Sequence, residues 1–165
     1  MAAARFRIRP ATAADAGAVA GLAAELAQSF AFSPASFDAS YPALLAAGHA
    51  CLLVATAGPE APRPEAARPE AAGPEQGCLG YLLGFEHLTF YANGRVGWVE
   101  EVLVRGDHRG RGAGRALMTA FEEWARQRDC ALVALATRRA APFYRALGYQ
   151  DSATYLRKVL AGKPG

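Results

Sequence analysis

Between Arg109 and Arg115 the chain reads Arg-Gly-Arg-Gly-Ala-Gly-Arg, a set of residues suited to holding phosphate. The glycines Gly110, Gly112 and Gly114 let the backbone turn sharply and come close to a ligand, because a residue without Cβ enters positive φ at little cost. Arg109, Arg111 and Arg115 add fixed positive charge and forked donors that match phosphate oxygens. Directly afterwards Leu117, Ala120, Phe121 and Trp124 recur at helical spacing, which predicts a helix starting near Ala113. The first turn of such a helix aims unpaired N–H groups, and the positive end of its dipole, at the same point. The loop is a built anion site.

Other phosphate loops do not fit. A P-loop requires Gly-x-x-x-x-Gly-Lys followed by Ser or Thr, and neither Gly-Lys-Ser nor Gly-Lys-Thr occurs. A dinucleotide fingerprint, Gly-x-Gly-x-x-Gly, fails in both registers: from Gly110 its last position is Arg115, and from Gly112 it is Leu117. Ahead of the loop, residues 96–104 are rich in valine and predict a buried strand that carries two adjacent carboxylates, Glu100 and Glu101. Neighbours on a regular strand face opposite sides, so only one of the two is expected to enter a given cleft.

The spacing Arg-x-x-Gly-x-Gly at Arg109, Gly112 and Gly114, directly after a strand with acidic residues, resembles the acetyl-CoA pyrophosphate loop of the GCN5-related N-acetyltransferases (GNAT). A second segment, Ala-x-x-Phe-Tyr-x-x-Leu-Gly-Tyr at Ala140, Phe143, Tyr144, Leu147, Gly148 and Tyr149, is similar to a segment of the same family and stands at the matching distance. The resemblance covers the C-terminal two fifths of the chain well and the first hundred residues by element order. It implies an α/β fold whose central sheet is mixed and mostly antiparallel, with one parallel, splayed strand pair and about four flanking helices. It also implies an acyl-CoA-dependent N-acyltransferase that uses acetyl-CoA as donor and a primary amine, on a small molecule or a protein, as acceptor.

That reaction sets three demands: a neutral amine, a donor for the developing oxyanion, and a proton for the departing thiolate. An alkylammonium has a pKa of about 10.4 and needs a base near neutral pH. By the family's register Glu100 is the better base, and Glu101 is either the alternative or a group that binds the cationic acceptor. The resemblance lays the pantetheine arm along the backbone of Val102, Leu103 and Val104 as an added strand, with a strand N–H meeting the thioester oxygen. Gly106 is where that ladder is expected to open. The pyrophosphate falls to Arg109, Gly110, Arg111, Gly112, Ala113, Gly114 and Arg115. Tyr144 matches the proton donor, since a phenol, with a pKa of about 10, stays protonated at neutral pH. Thr137 stands where the family often has an asparagine that contacts the cofactor's amide arm, and Phe143 falls near the adenine or pantetheine. The rival reading is a catalytically silent CoA-binding or regulatory module, for which Glu100 and Tyr144 would be dispensable.

The rest of the chain supplies the frame. With 165 residues, 52% hydrophobic and 20% charged, it reads as one domain, residues 1–165. No apolar run is long enough to span a membrane, and arginines break the N-terminal segment where a signal peptide would be apolar, so a cytoplasmic protein is expected. The net charge of +3 concentrates near the glycine loop and in the C-terminal third, which suits an anionic cofactor rather than a nucleic acid. A homodimer is left open. Cys51, Cys78 and Cys130 read as reduced thiols, and no His pair has metal-ligand spacing, so no metal is expected.

Residues 6–9 form a short strand, and Thr12 caps a helix expected to run from about residue 13 to 30. A second helix covers about residues 35–47. In the family such a pair borders the acceptor pocket, which makes Phe30, Phe32, Phe37 and Tyr41 wall candidates and Asp15, Glu25 and Asp38 the acids on that side. Strands at residues 50–57 and from residue 77 flank a Pro-Glu-rich stretch, about 58–76, read as a flexible hairpin insertion. Asn93-Gly94, within the connection at residues 91–95, is a hairpin signal that sets the strand of Glu100 antiparallel to the one before it. Ala-Leu-Val-Ala-Leu-Ala at residues 131–136 predicts a parallel strand covered on both faces, and residues 149–160 a returning strand or strand pair.

Overall fold

The structure, a computed structural model, describes residues 6–26, 31–58 and 77–160. Five strands lie in one sheet in chain order: β1 (Phe6–Pro10), β2 (Ala50–Ala57), β3 (Cys78–Thr89), β4 (Gly94–Val104) and β5 (Cys130–Leu135). The pairs are antiparallel except β4 and β5, which run parallel. The helices are α1 (Ala16–Leu26), α2 (Pro34–Ala46), α3 (Ala113–Arg126) and α4 (Ala141–Arg145). This is the mixed α/β sheet expected. No helix among the described residues is long and apolar enough to cross a membrane. The Pro-Glu stretch lies outside the described residues from position 59 on, as does Phe30.

Helix α3 covers one sheet face. Its Ala113, Leu117, Met118, Phe121 and Ala125 are buried at helical spacing, against Leu53, Leu82 and Val99 of the sheet. Two strand glycines make room for it. A Cβ on Gly84 would strike the Phe121 ring, and one on Gly97 would come within 3.3 Å of Ala125. Helices α1 and α2 cover the other face, where Val19, Leu22 and Tyr41 pack on Leu52, Val54, Tyr81 and Leu103.

That second face contains a buried charge. Asp15 is 1% exposed and accepts two hydrogen bonds of 2.7 Å from the Arg9 guanidinium, and its Oδ2 also accepts from the Thr12 N–H at 2.8 Å and the Thr12 hydroxyl at 2.9 Å. These bonds, Arg9 first, hold its pKa down to about 2. The Tyr41 hydroxyl donates to the Thr12 carbonyl at 2.8 Å, which ties α2 to the same knot. Asp15 is therefore a structural carboxylate rather than an acid lining an acceptor site. Around it residues Ala13–Asp15 form a 3-10 turn, and regular helix begins only at Ala16.

The antiparallel hairpin expected at Asn93-Gly94 forms between β3 and β4, with four residues between Thr89 and its partner Gly94 and with Asn93 at φ 53°. Two further expectations are corrected. Strand β5 is not covered on both faces: Val133 and Leu135 pack toward α3, while Leu132 is 40% exposed. Residues 151–160 form no strand and are exposed. Their alternation puts Arg157 between Tyr155 and Val159 on one side, and Lys158 between Leu156 and Leu160 on the other. With no apolar face to bury, neither register is favoured.

Candidate functional site

The segment of β4 around Glu100 departs from regular strand geometry in two ways. Leu83 of β3 pairs with Glu101, and the next residue, Gly84, pairs with Val99, so Glu100 is an extra residue, a β-bulge. Gly97 and Val99 face α3 before it, and Val102 and Val104 face α3 after it, so one step of alternation is lost between them. Glu100 and Glu101 consequently point to the same side, toward α1 and α2, and both line one cleft. The expectation that only one could enter it assumed an unbroken strand. Each carboxylate has an aromatic donor: Trp98 Nε1 donates to Glu100 Oε2 at 2.8 Å, and the Tyr81 hydroxyl donates to Glu101 Oε2 at 2.6 Å. Burial and the Glu101 charge push the Tyr81 phenol well above its ordinary pKa, so it stays a donor.

At the same place β4 loses its parallel neighbour. Pairing with β5 ends at Val99 opposite Leu135, and β4 continues to Val104 paired with β3 only. The ladder opens there and not at Gly106. The Arg105 N–H donates to the Leu79 carbonyl of β3 at 2.8 Å, and in an antiparallel ladder the direction of the backbone groups alternates, so Leu103 also faces β3 while Val102 and Val104 turn theirs to the open edge. The Val104 carbonyl accepts from Arg109 Nε at 2.9 Å, an anchor that fixes the start of the glycine loop to the strand end.

The loop has the backbone its sequence requires. Gly110 has φ 70° and Gly112 φ 99°, left-handed values that a side chain would strain, and Gly112 is the N-cap of α3. No side chain caps that helix, so the N–H groups of Ala113, Gly114 and Arg115 are left for a ligand. Gly114 is small for another reason: a Cβ there would lie 3.3 Å from the Phe143 ring of α4. Arg109 and Arg115 line the cleft, and Arg115 also reaches the Ala146 carbonyl at 3.4 Å. Arg111 is exposed and is not among the residues that line the cleft. His108 lines the cleft with Nδ1 2.8 Å from Asp107 Oδ1, and the Arg105 guanidinium holds the Asp107 carboxyl well below the usual range.

Helix α4 closes the opposite wall. The Thr137 hydroxyl accepts from the Ala140 N–H at 3.0 Å, which satisfies a backbone donor at the start of α4. Thr137, Phe143 and Tyr144 all line the cleft. Tyr144 packs edge-on between Phe143 and Tyr149, with ring centroids 5.0 and 5.9 Å away. Burial raises its pKa, and among the described residues its hydroxyl has no hydrogen-bond partner. Phe32, Phe37 and Tyr41 form a row along α2, and all three border the cleft. The cleft measures about 1350 Å³.

Sequence reasoning missed Tyr81 and Trp98. Trp98 was within reach of it, because a residue two before Glu100 shares its strand face. Tyr81 depends on the register of two strands and left no local mark. Among the described residues no three His, Cys, Asp or Glu side chains form a metal site. The three cysteines are unpaired, and burial pushes the Cys51 thiol up to about 12.

The family model described as the acetyltransferase (GNAT) family matches residues 64–149. Among solved structures the chain is similar to an acetyltransferase of Trypanosoma brucei, at 23% identity over 94% of this chain and 99% of that one, with a TM-score of 0.71. It is similar to glucosamine-6-phosphate N-acetyltransferase of Arabidopsis thaliana at 17% identity, 93% and 97% coverage and a TM-score of 0.74. A third is the aminoglycoside N-acetyltransferase AAC(6')-Iy in complex with CoA, at 17% identity, 95% of each chain and a TM-score of 0.73. At these identities the likeness is one of fold. No curated protein matches the sequence.

Proposed function

The chain belongs to the GNAT acetyltransferase family, and from that premise we propose that it moves an acetyl group from acetyl-CoA to a primary amine by direct transfer. One observation carries this reading. Both carboxylates, the unpaired edge of β4, the open N-terminus of α3 and the Tyr144 hydroxyl border a single cleft. The fit to a CoA-type donor rests on the residues present: the α3 N–H groups, Arg109 and Arg115 suit a pyrophosphate. The open backbone edge at Val102 and Val104 suits an amide-bearing arm laid alongside as a further strand. The donor supplies the activated thioester.

The remaining chemistry falls to the protein. Glu100 takes the proton that the ammonium must lose before its nitrogen can bond to the acyl carbon. It is the more exposed of the two acids, and the Trp98 bond fixes its direction. Glu101, tied to Tyr81, holds a second negative charge on the acceptor side. An edge N–H of β4 supplies the oxyanion donor. As the C–N bond forms and the C–S bond breaks, the nitrogen loses its second proton to solvent, and Tyr144 gives its proton to the sulfur and regains one from solvent.

A panel of amines, with thiol release as readout, tests the assignment. Tyr144→Phe and Glu100→Gln are each expected to lower kcat about a hundredfold, with CoA affinity unchanged. Turnover that survives Tyr144→Phe would remove the phenol from its role. CoA binding with no turnover on any amine would favour the silent module.

A further inference from the structure

A second cavity of about 410 Å³ adjoins the cleft at Glu100. Trp98, Glu100, Thr137, Arg138, Tyr155 and Arg157 line it, and no residue of the glycine loop does. Two guanidiniums thus share a small space with the carboxylate read above as the base, apart from the arginines at the phosphate end. Arg138 has no side-chain hydrogen bond or ion pair among the described residues. Arg139 joins Arg138 and Arg157 along the main cleft.

The charges decide what fits. A carboxylate alone would draw any cation, including one with several ammonium groups. Here Arg138 and Arg157 line the same cavity as Glu100, so a molecule with one ammonium and one anion meets both signs in place. Forked guanidiniums also match the paired oxygens of a carboxylate or phosphate in direction, which a diffuse positive field would not require. Trp98 holds Glu100 on the cavity side, and Tyr155 gives the cavity an aromatic wall.

We propose that the acceptor is a small amine that also carries an anionic oxygen group, carboxylate or phosphate, bound by Arg138 and Arg157 while its amine faces Glu100. This rests on the acetyl-transfer reading for the role of Glu100, but the anion subsite can be measured without turnover. Matched pairs are titrated into the full-length protein by calorimetry, with and without CoA: amino acids against the amines that lack their carboxylate, and glucosamine 6-phosphate against glucosamine. The anionic member of at least one class is expected to bind about tenfold more tightly or better, and the class that does so identifies the anion.

Arg138→Ala and Arg157→Ala should each reduce that ratio several-fold, and Arg157→Lys should restore part of it. Anionic and neutral members binding equally in every pair would overturn the proposal. So would a preference that both alanine variants keep, or a peptide amine with a blocked C-terminus and no acidic side chain that binds as well as the free amino acid. If the preference holds but no pair member is acetylated, the subsite stands and the acetyl-transfer reading fails.

Discussion

The two faces of the sheet are built on different physics. Under α3 the core is apolar and shape-determined, with Leu117, Met118 and Phe121 fully buried and glycines at 84 and 97 cut to fit them. Under α1 and α2 the core is crossed by hydrogen bonds: Arg9 to Asp15, Tyr41 to Thr12, Tyr81 to Glu101. The first arrangement fixes where the helix N-terminus lies. The second suspends charge over a cleft and needs partners for every polar atom, because an unpaired buried group forfeits the hydration it had in the unfolded chain. On the reading proposed above, the donor belongs on the rigid face and the acceptor on the polar one.

The comparison breaks first at the glycine loop. Gly112→Asp and Gly114→Asp should each abolish CoA binding in calorimetry, since either change brings negative charge to the anion site, the former also at a strained φ and the latter against Phe143. Binding that survives in both would take the donor away from the α3 face.

Phe121→Ala comes next. A fully buried aromatic replaced by alanine should remove about 3–5 kcal/mol of stability in urea unfolding with the slope unchanged. A loss under about 1 kcal/mol would mean that this face is not the close-packed one.

On the opposite face Asp15→Asn should destabilise by about 2 kcal/mol, the amount that corresponds to lowering the carboxyl pKa from 3.8 to about 2. The sign follows from the depressed value. The contribution is complete above the unfolded pKa of about 4, and it disappears as the pH falls toward 2. Unfolding followed between pH 5 and pH 2 should therefore converge for wild type and variant, and parallel curves would refute the buried pair as its source.

The smallest effect is expected for Tyr81→Phe, about 1 kcal/mol, because Glu101 is only half-buried and can recruit water. Its use is to sharpen the comparison. Acceptor KM should rise while CoA affinity stays the same, and an equal effect on both would show that the faces are not independent.

What was readable in the chain follows the same division. The strand-loop-helix unit from β4 to α3 could be placed closely because its signals are local: valine-rich residues, glycines at fixed spacing, a helical stripe of apolar residues. Gly110 and Gly112 then fell at positive φ where a turn into a helix demands it. Tyr144, Phe143 and Thr137 likewise came to the cleft, since they follow β5 directly. Less legible were the features that depend on a partner. Asp15 read as an acid on the acceptor side until Arg9 folded over it, and residues 151–160 looked like a strand although neither of their faces is apolar.

The sequence alone determined the family, the parallel crossover and the position of the glycine loop, because each depends on residues adjacent in the chain. Only the tertiary structure decided that Glu100 and Glu101 share a side, that β4 opens after Val99 and that Arg138 and Arg157 line one cavity with Glu100. A bulge is a mismatch between two strands, and neither strand records it by itself; the grouping of Glu100 with Arg138 and Arg157 likewise exists only once separate segments of the chain are brought to one wall.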